Sequence, residues 1–176
     1  EPVAGPISAP HWGSRPTTHH LDRIATYAAE GLNFEYYWID AEWFGSPDGT
    51  SDWQKQAGDW QVNTGYHPEG LRPISDAANR AGMKFLLWVE PERAVCGTPI
   101  TLEHPEWFLG EHTPGANLLV DFSQPEARRW VIETVAGIIE ENGVACYRQD
   151  FNMDPLAYWR AADAADRQGI TEIRYV

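Results

Sequence analysis

Short apolar runs alternate along this chain with stretches whose apolar residues recur every three or four positions, the pattern of strands followed by helices around a parallel sheet. A first strand is expected within Val3 to Ala9, and Leu21, Ile24, Ala25 and Ala28 then share one helical face that stops at Gly31. FEYYWI, Phe34 to Ile39, opens a second unit. The segment from Asp40 to Gly70 is long and Gly-rich, which marks a functional or disordered loop, and its Trp43, Trp53 and Trp60 argue for order. A short helix with Ile74, Ala77, Ala78 and Ala81 ends at Gly82, and MKFLLWV, Met83 to Val89, is the clearest interior strand.

LLVDF, Leu118 to Phe122, is a shorter strand. Ser123 and Glu126 read as a capping box with Pro125 in the first turn, followed by a buried stripe of Trp130, Val131, Thr134, Val135, Ile138 and Ile139 ending at Gly143. GVACY then reads as an interior strand leading to Asp150, Asp154 and Pro155 open another helix, and ITEIRYV at the end reads as a strand. The class is therefore α/β, with residues 1–176 read as one partial domain of about the first four βα units of a (β/α)8 barrel. Half a barrel leaves open sheet edges, so a homo-oligomer or the remaining half of the barrel is the expected partner. A chain that begins at Glu1 is expected to be processed or excised.

Composition narrows the function. Hydrophobic residues make up 43% of the 176, enough for a sizeable core. The net charge of −13 argues against a nucleic-acid backbone or an anionic membrane as partner, and no stretch approaches the roughly 20 apolar residues that span a bilayer. A neutral ligand such as a sugar meets no such repulsion. The acidic, tryptophan-rich composition suits a secreted polysaccharide-degrading enzyme and a cytosolic one nearly as well. Cys96 and Cys146 are too few for a disulfide framework or a zinc cluster, and Cys146 reads as a small buried apolar residue.

Asp40, Glu90 with Glu92, and Asp150 each fall at the end of an expected strand, where a barrel would gather them at one rim. Acids and aromatics without metal-ligand spacing or a glycine-rich phosphate loop suit carbohydrate, because indole faces stack on apolar sugar faces and carboxylates accept hydroxyl hydrogen bonds. No metal or other cofactor is expected. Plainer roles compete: Asp150 could cap a turn, Glu92 could pair with Arg93, and Asp121 reads as a loop acceptor. His19 and His20 read as a solvated helix start, Asp163 and Asp166 as a solvated face, and Trp43, Trp88 and Trp107 as packing residues.

WIDAEWFG (Trp38 to Gly45), GDW (Gly58 to Trp60), GMKFLLWVEPE (Gly82 to Glu92), HPEW (His104 to Trp107) and YRQDFN (Tyr147 to Asn152) occur in the order and spacing of one known catalytic barrel. Over nearly its whole length the chain resembles glycoside hydrolase family 36, the melibiase-like α-galactosidases and α-N-acetylgalactosaminidases. The resemblance implies a retaining enzyme that removes terminal galactose or N-acetylgalactosamine by double displacement. Asp150 then aligns with the nucleophile, and the general acid/base, roughly 5 Å away in such sites, comes from a later strand beyond the equivalent of Val176. Asp40, Trp60 and Arg148 align with sugar-binding positions, Arg148 standing where many members have lysine. Glu42, Glu90 and Asn152 are further candidate contacts.

Two departures bear on specificity. The family's usual DDGWF reads DAEWF, so Ala41 replaces the second aspartate and Glu42 follows one position later. HWG, His11 to Gly13, stands where many relatives have tryptophan followed by an acid. Two other functions remain open: a non-catalytic carbohydrate-binding fragment that lacks the acid/base, and a metal-dependent barrel hydrolase with Asp40, Glu90 and Asp150 as ligands.

Overall fold

A computed structural model describes residues 8, 10–47 and 52–176. In chain order the elements are α1 (Thr17–Ala29), β1 (Tyr36–Ile39), α2 (Trp53–Gln56), α3 (Arg72–Arg80), β2 (Lys84–Val89), β3 (Arg93–Val95) and α4 (Pro99–Glu103). They continue with a 3-10 turn (Pro105–Trp107), β4 (Phe108–Leu109), β5 (Asn117–Val120), α5 (Pro125–Asn142), β6 (Cys146–Gln149), α6 (Leu156–Ala162) and α7 (Ile170–Tyr175). The chain folds as two compact units: Glu1–Trp53, Gln61–Val89 and Ala136–Gln149 form the first, and Gln54–Trp60, Glu90–Val135 and Asp150–Val176 the second.

The first unit is the parallel α/β part. Its sheet has the order β1-β2-β6, with Ile39 opposite Leu87 and Val89 opposite Gln149. Five of the six residues of β2 are buried, as its continuous apolar run requires of a central strand. Within this span β6 pairs with β2 alone and is half-buried to exposed, whereas GVACY reads by its apolar letters as an interior strand. Cys146 is likewise half-buried. The expected first strand within Val3 to Ala9 lies, apart from Ser8, outside the described residues. Ser8 and His11 run beside β1, Ser8 N–H donating to the Tyr36 carbonyl at 3.2 Å and His11 N–H to that of Trp38 at 3.1 Å. Gly31, with φ at 67°, turns the chain from α1 towards β1 by a left-handed step that other residues resist.

The second unit holds a three-stranded antiparallel sheet in the order β3-β5-β4. LLVDF is thus a strand as read, but it pairs antiparallel outside the parallel sheet. Ala94, Phe108, Leu118, Val120 and Ala127 form its core, flanked by Trp107, Trp130 and Val131. Ahead of α5 the turn is organised by Asp121, which accepts from Ser123 N–H (3.0 Å) and Gln124 Nε2 (3.0 Å), in place of the expected Ser123–Glu126 box. Asp154 accepts from Leu156 N–H at 3.0 Å, which sets the start of α6.

ITEIRYV is a helix. Its β-branched residues favour a strand, yet the Asp163 carboxylate gathers the N–H groups of Gly169, Ile170 and Thr171 and the Thr171 hydroxyl. That satisfies the donors a helix leaves unpaired at its N-terminus, and the Thr171 hydroxyl leads the interactions that hold the Asp163 pKa down. Asp163 is therefore a cap, not part of a merely solvated face. At the other end Tyr175 stacks on Phe122 (4.9 Å between centroids) and donates to Glu92 Oε2 (2.5 Å).

His20 corrects another expectation, being fully buried instead of solvated. It belongs to a cluster in the first unit with His11, His67, Tyr27 and Tyr37. His20 Nδ1 and the Tyr37 hydroxyl are 2.9 Å apart, His11 Nε2 and the Tyr27 hydroxyl 3.1 Å. His67 Nε2 donates to the Gly13 carbonyl (2.7 Å), which leaves Nδ1 to accept from Thr17 (3.0 Å). Burial, with His67, His11 and His19 close by, pushes the His20 pKa down to about 3. Burial also lowers His11 and His67. Because the folded state disfavours the protonated rings, their contribution is present above the ordinary histidine pKa of about 6.5 and is lost as pH falls below it. For His20 the loss extends towards pH 3. The unfolding free energy from denaturant titrations between pH 7.5 and 5 should fall, by up to about 1.4 kcal/mol per pH unit for each proton taken up on unfolding. His20→Phe should flatten that slope, and an equally steep slope in the variant would contradict the assignment.

Candidate functional site

Three strands of the parallel sheet end directly in an acid: Asp40 follows β1, Glu90 follows β2 and Asp150 follows β6. Parallel pairing makes these ends point the same way along the chain. β2 and β6 finish level, whereas β1 stops opposite Leu87, two residues short of the end of β2. That stagger is about 7 Å at the rise of a strand.

Asp40, in the first unit, is half-buried, and its Oδ1 accepts from the N–H of Ala41 at 2.8 Å. Glu42 is the one described non-glycine residue with positive φ, at 72°, and Ser14 Oγ donates to its Oε2 at 2.5 Å. A left-handed backbone costs a side-chain-bearing residue about 1 kcal/mol, so the turn that aims this carboxylate is strained locally and held by its surroundings. Gly13 lies against the same loop: a Cβ there would come 2.3 Å from the backbone nitrogen of Trp43. Trp43 is fully buried and its Nε1 donates to the Trp88 carbonyl at 2.8 Å, tying the loop after β1 to β2. Arg148 is exposed, and its guanidinium lies over the ring of Trp38 with 4.8 Å to the centroid. A cation over an indole face at this distance is held by the ring quadrupole.

In the second unit, Asp150 is half-buried and repeats the device seen at Asp40, its Oδ1 accepting from the N–H of Phe151 at 3.0 Å. Asn152 Nδ2 donates to Asp150 Oδ2 at 3.3 Å. Glu90, expected as a sugar contact, is fully buried. Its Oε2 accepts from Arg93 Nε (2.9 Å) and Nη2 (2.7 Å), and its Oε1 from the backbone N–H of Asn152 (2.6 Å). Trp60, expected in a loop over the sugar, is 5% exposed. The structure thus joins Asp150, Asn152 and Glu90 in one hydrogen-bonded group and places Asp40 and Glu42 in one turn.

The residues that sequence reasoning missed are the partners: Ser14 for Glu42, Trp38 for Arg148, and Arg93 for Glu90. The last was legible in principle. Arg93 N–H reaches back to the Glu90 carbonyl at 3.4 Å across Pro91 and Glu92, a turn with proline in its favoured second position. Such a turn brings its first and fourth residues together, so Arg93 pairs with Glu90, and Glu92 is left to Tyr175. Among the described residues no group of three or more His, Cys, Asp or Glu side chains is placed to hold a metal ion. No helix among them is long and apolar enough to cross a membrane. An open groove of about 700 Å³ in the second unit, lined in part by Leu109, Asn117 and Tyr158, includes none of the candidate site residues.

Comparison with known proteins shows the family. The melibiase family model matches residues 6–176. The alpha-galactosidase AgaA of Geobacillus stearothermophilus is 33% identical over 160 residues, covering 87% of this chain and 21% of that protein. The solved structure of the GH36 alpha-galactosidase AgaB from Geobacillus stearothermophilus superposes with a TM-score of 0.80 at 27% identity, over 97% of this chain and 24% of that one. A variant of AgaA solved in complex with raffinose superposes with a TM-score of 0.75 at 26% identity, over 92% of this chain and 22% of its own. The chain thus spans about a fifth to a quarter of the length of these relatives. With the family model running from residue 6 to the last residue described, the chain belongs to the melibiase family, the GH36 glycoside hydrolases.

Proposed function

We propose that this chain forms part of the (β/α)8 catalytic barrel of a retaining α-glycosidase acting on terminal α-galactoside-like units, with Asp150 as nucleophile. The observation that carries the reading is the position of Asp150, half-buried directly after a parallel strand with both carboxylate oxygens oriented by the two residues that follow it. An acid in that place is poised for attack more often than for structure. Asp150 would attack the anomeric carbon as the bond to the leaving oxygen breaks, giving a covalent glycosyl-enzyme. The leaving oxygen would take its proton from a general acid supplied, as the family resemblance implies, after the equivalent of Val176. Water would then attack the anomeric carbon, losing its proton to that same group, and free Asp150.

Asp40 and Glu42 are suited to accept from sugar hydroxyls and Arg148 and Asn152 to donate to them, while the buried Trp60 and Glu90 support the walls. The raffinose found in the related structure fits an oligosaccharide ending in an α-galactosyl unit as substrate.

In the enzyme that contains this chain, Asp150→Asn should lower kcat on a chromogenic α-galactoside by about 10³-fold or more, since no carboxylate remains to form the intermediate. Near-normal turnover would overturn the assignment. A second measurement concerns the glycone. Ala41→Asp with Glu42→Gly writes the family's DDGWF into this turn and removes the strained φ, and it should change the ratio of kcat/KM for α-galactoside over α-N-acetylgalactosaminide by about tenfold or more. An unchanged ratio would show that this turn does not set the choice.

A further inference from the structure

Glu90 and Arg93 form a buried ion pair, 0% and 3% exposed, that is not spent on mutual contact alone. Arg93 grips Glu90 Oε2 with two nitrogens, at 2.9 and 2.7 Å, and turns its remaining Nη1 to Asn117 Oδ1 at 3.1 Å. The other Glu90 oxygen is thereby aimed at the backbone N–H of Asn152, at 2.6 Å, a charge-assisted contact between residues 62 positions apart in sequence. Asn152 is two residues past Asp150 and reaches back to it through Nδ2, and Phe151 N–H holds the other oxygen of the same carboxylate. Arg93 fixes Glu90, Glu90 fixes the backbone at Asn152, and the short segment so anchored carries both groups that orient Asp150.

We propose that Glu90 is a positioning residue for the reaction, clamping the segment 150–152 so that the Asp150 carboxylate faces the anomeric carbon, with Arg93 as the counter-charge that makes the clamp rigid. This rests on Asp150 being the nucleophile. An ion pair in this setting need not add stability, because its desolvation opposes its attraction, and its replacement by apolar side chains is often neutral. A displaced nucleophile, by contrast, slows bond formation steeply, since a misplacement of about 1 Å costs on the order of 10²-fold in rate.

Two charge-neutral double variants of the enzyme that contains this chain separate positioning from packing. Glu90→Gln with Arg93→Met keeps an oxygen to accept from Asn152 N–H, whereas Glu90→Leu with Arg93→Met has none. With p-nitrophenyl α-D-galactopyranoside as probe, the Gln form should keep kcat within about fivefold of the parent. The Leu form should lose about 10²-fold in kcat with KM within about twofold, although its melting temperature is no lower than that of the Gln form. Equal kcat in the two would overturn the clamp. Should either fail to fold, Glu90→Asp keeps the charge beside Arg93 but falls one methylene short of the Asn152 N–H: a fall in kcat of about tenfold or more at constant KM supports the clamp, and an unchanged kcat overturns it. Activity retained by Asp150→Asn would refute the nucleophile itself, whereas an inactive Asp150→Asn beside two equal double variants would refute the clamp alone.

Discussion

Parallel pairing of β1, β2 and β6 is the constraint from which the arrangement follows. In a parallel sheet every strand runs the same way, so the ends of β1, β2 and β6 all face one direction. The ladder sets their levels, β2 and β6 ending together and β1 two residues earlier. β2 carries an almost unbroken apolar run buried on both faces, as a central parallel strand requires.

Beyond the strand ends, different devices aim the acids. Asp40 and Asp150 are both turned by the N–H of the next residue, a local contact that survives small changes elsewhere. Glu42 depends on a left-handed backbone and on Ser14, 28 residues away, so its placement is a property of the fold. Glu90 is committed to Arg93 and to the backbone of Asn152. Four acids that look alike in sequence thus hold three kinds of position: oriented at a strand end, strained in a turn, and enclosed as a support.

Much of this could be read from the letters where the signal was local. The continuous run of β2, the helix ending at Ala29 before Gly31 and the Asp154 turn each declare themselves within a few residues. What escaped was set by distant partners. ITEIRYV reads as a strand until the Asp163 carboxylate, seven or eight residues upstream of its first N–H groups, supplies the missing cap. His20 looked solvated because its amphipathic setting is local, whereas its partners Tyr37 and His67 arrive from β1 and the loop before α3. Within the candidate site the strand-end positions of Asp40, Glu90 and Asp150 were legible, whereas the contacts of Ser14 and Trp38 were not, since these residues carry no signal of their own.

The central claim is that Asp150 bonds covalently to the sugar. An activated, fluorinated α-galactoside that forms the glycosyl-enzyme faster than water releases it would label the nucleophile, and peptide mass spectrometry after proteolysis would locate the adduct. The account predicts one glycosyl group on the peptide containing YRQDFN, at Asp150, and none in Asp150→Asn. A label on any other carboxylate, or full labelling of that variant, would contradict it.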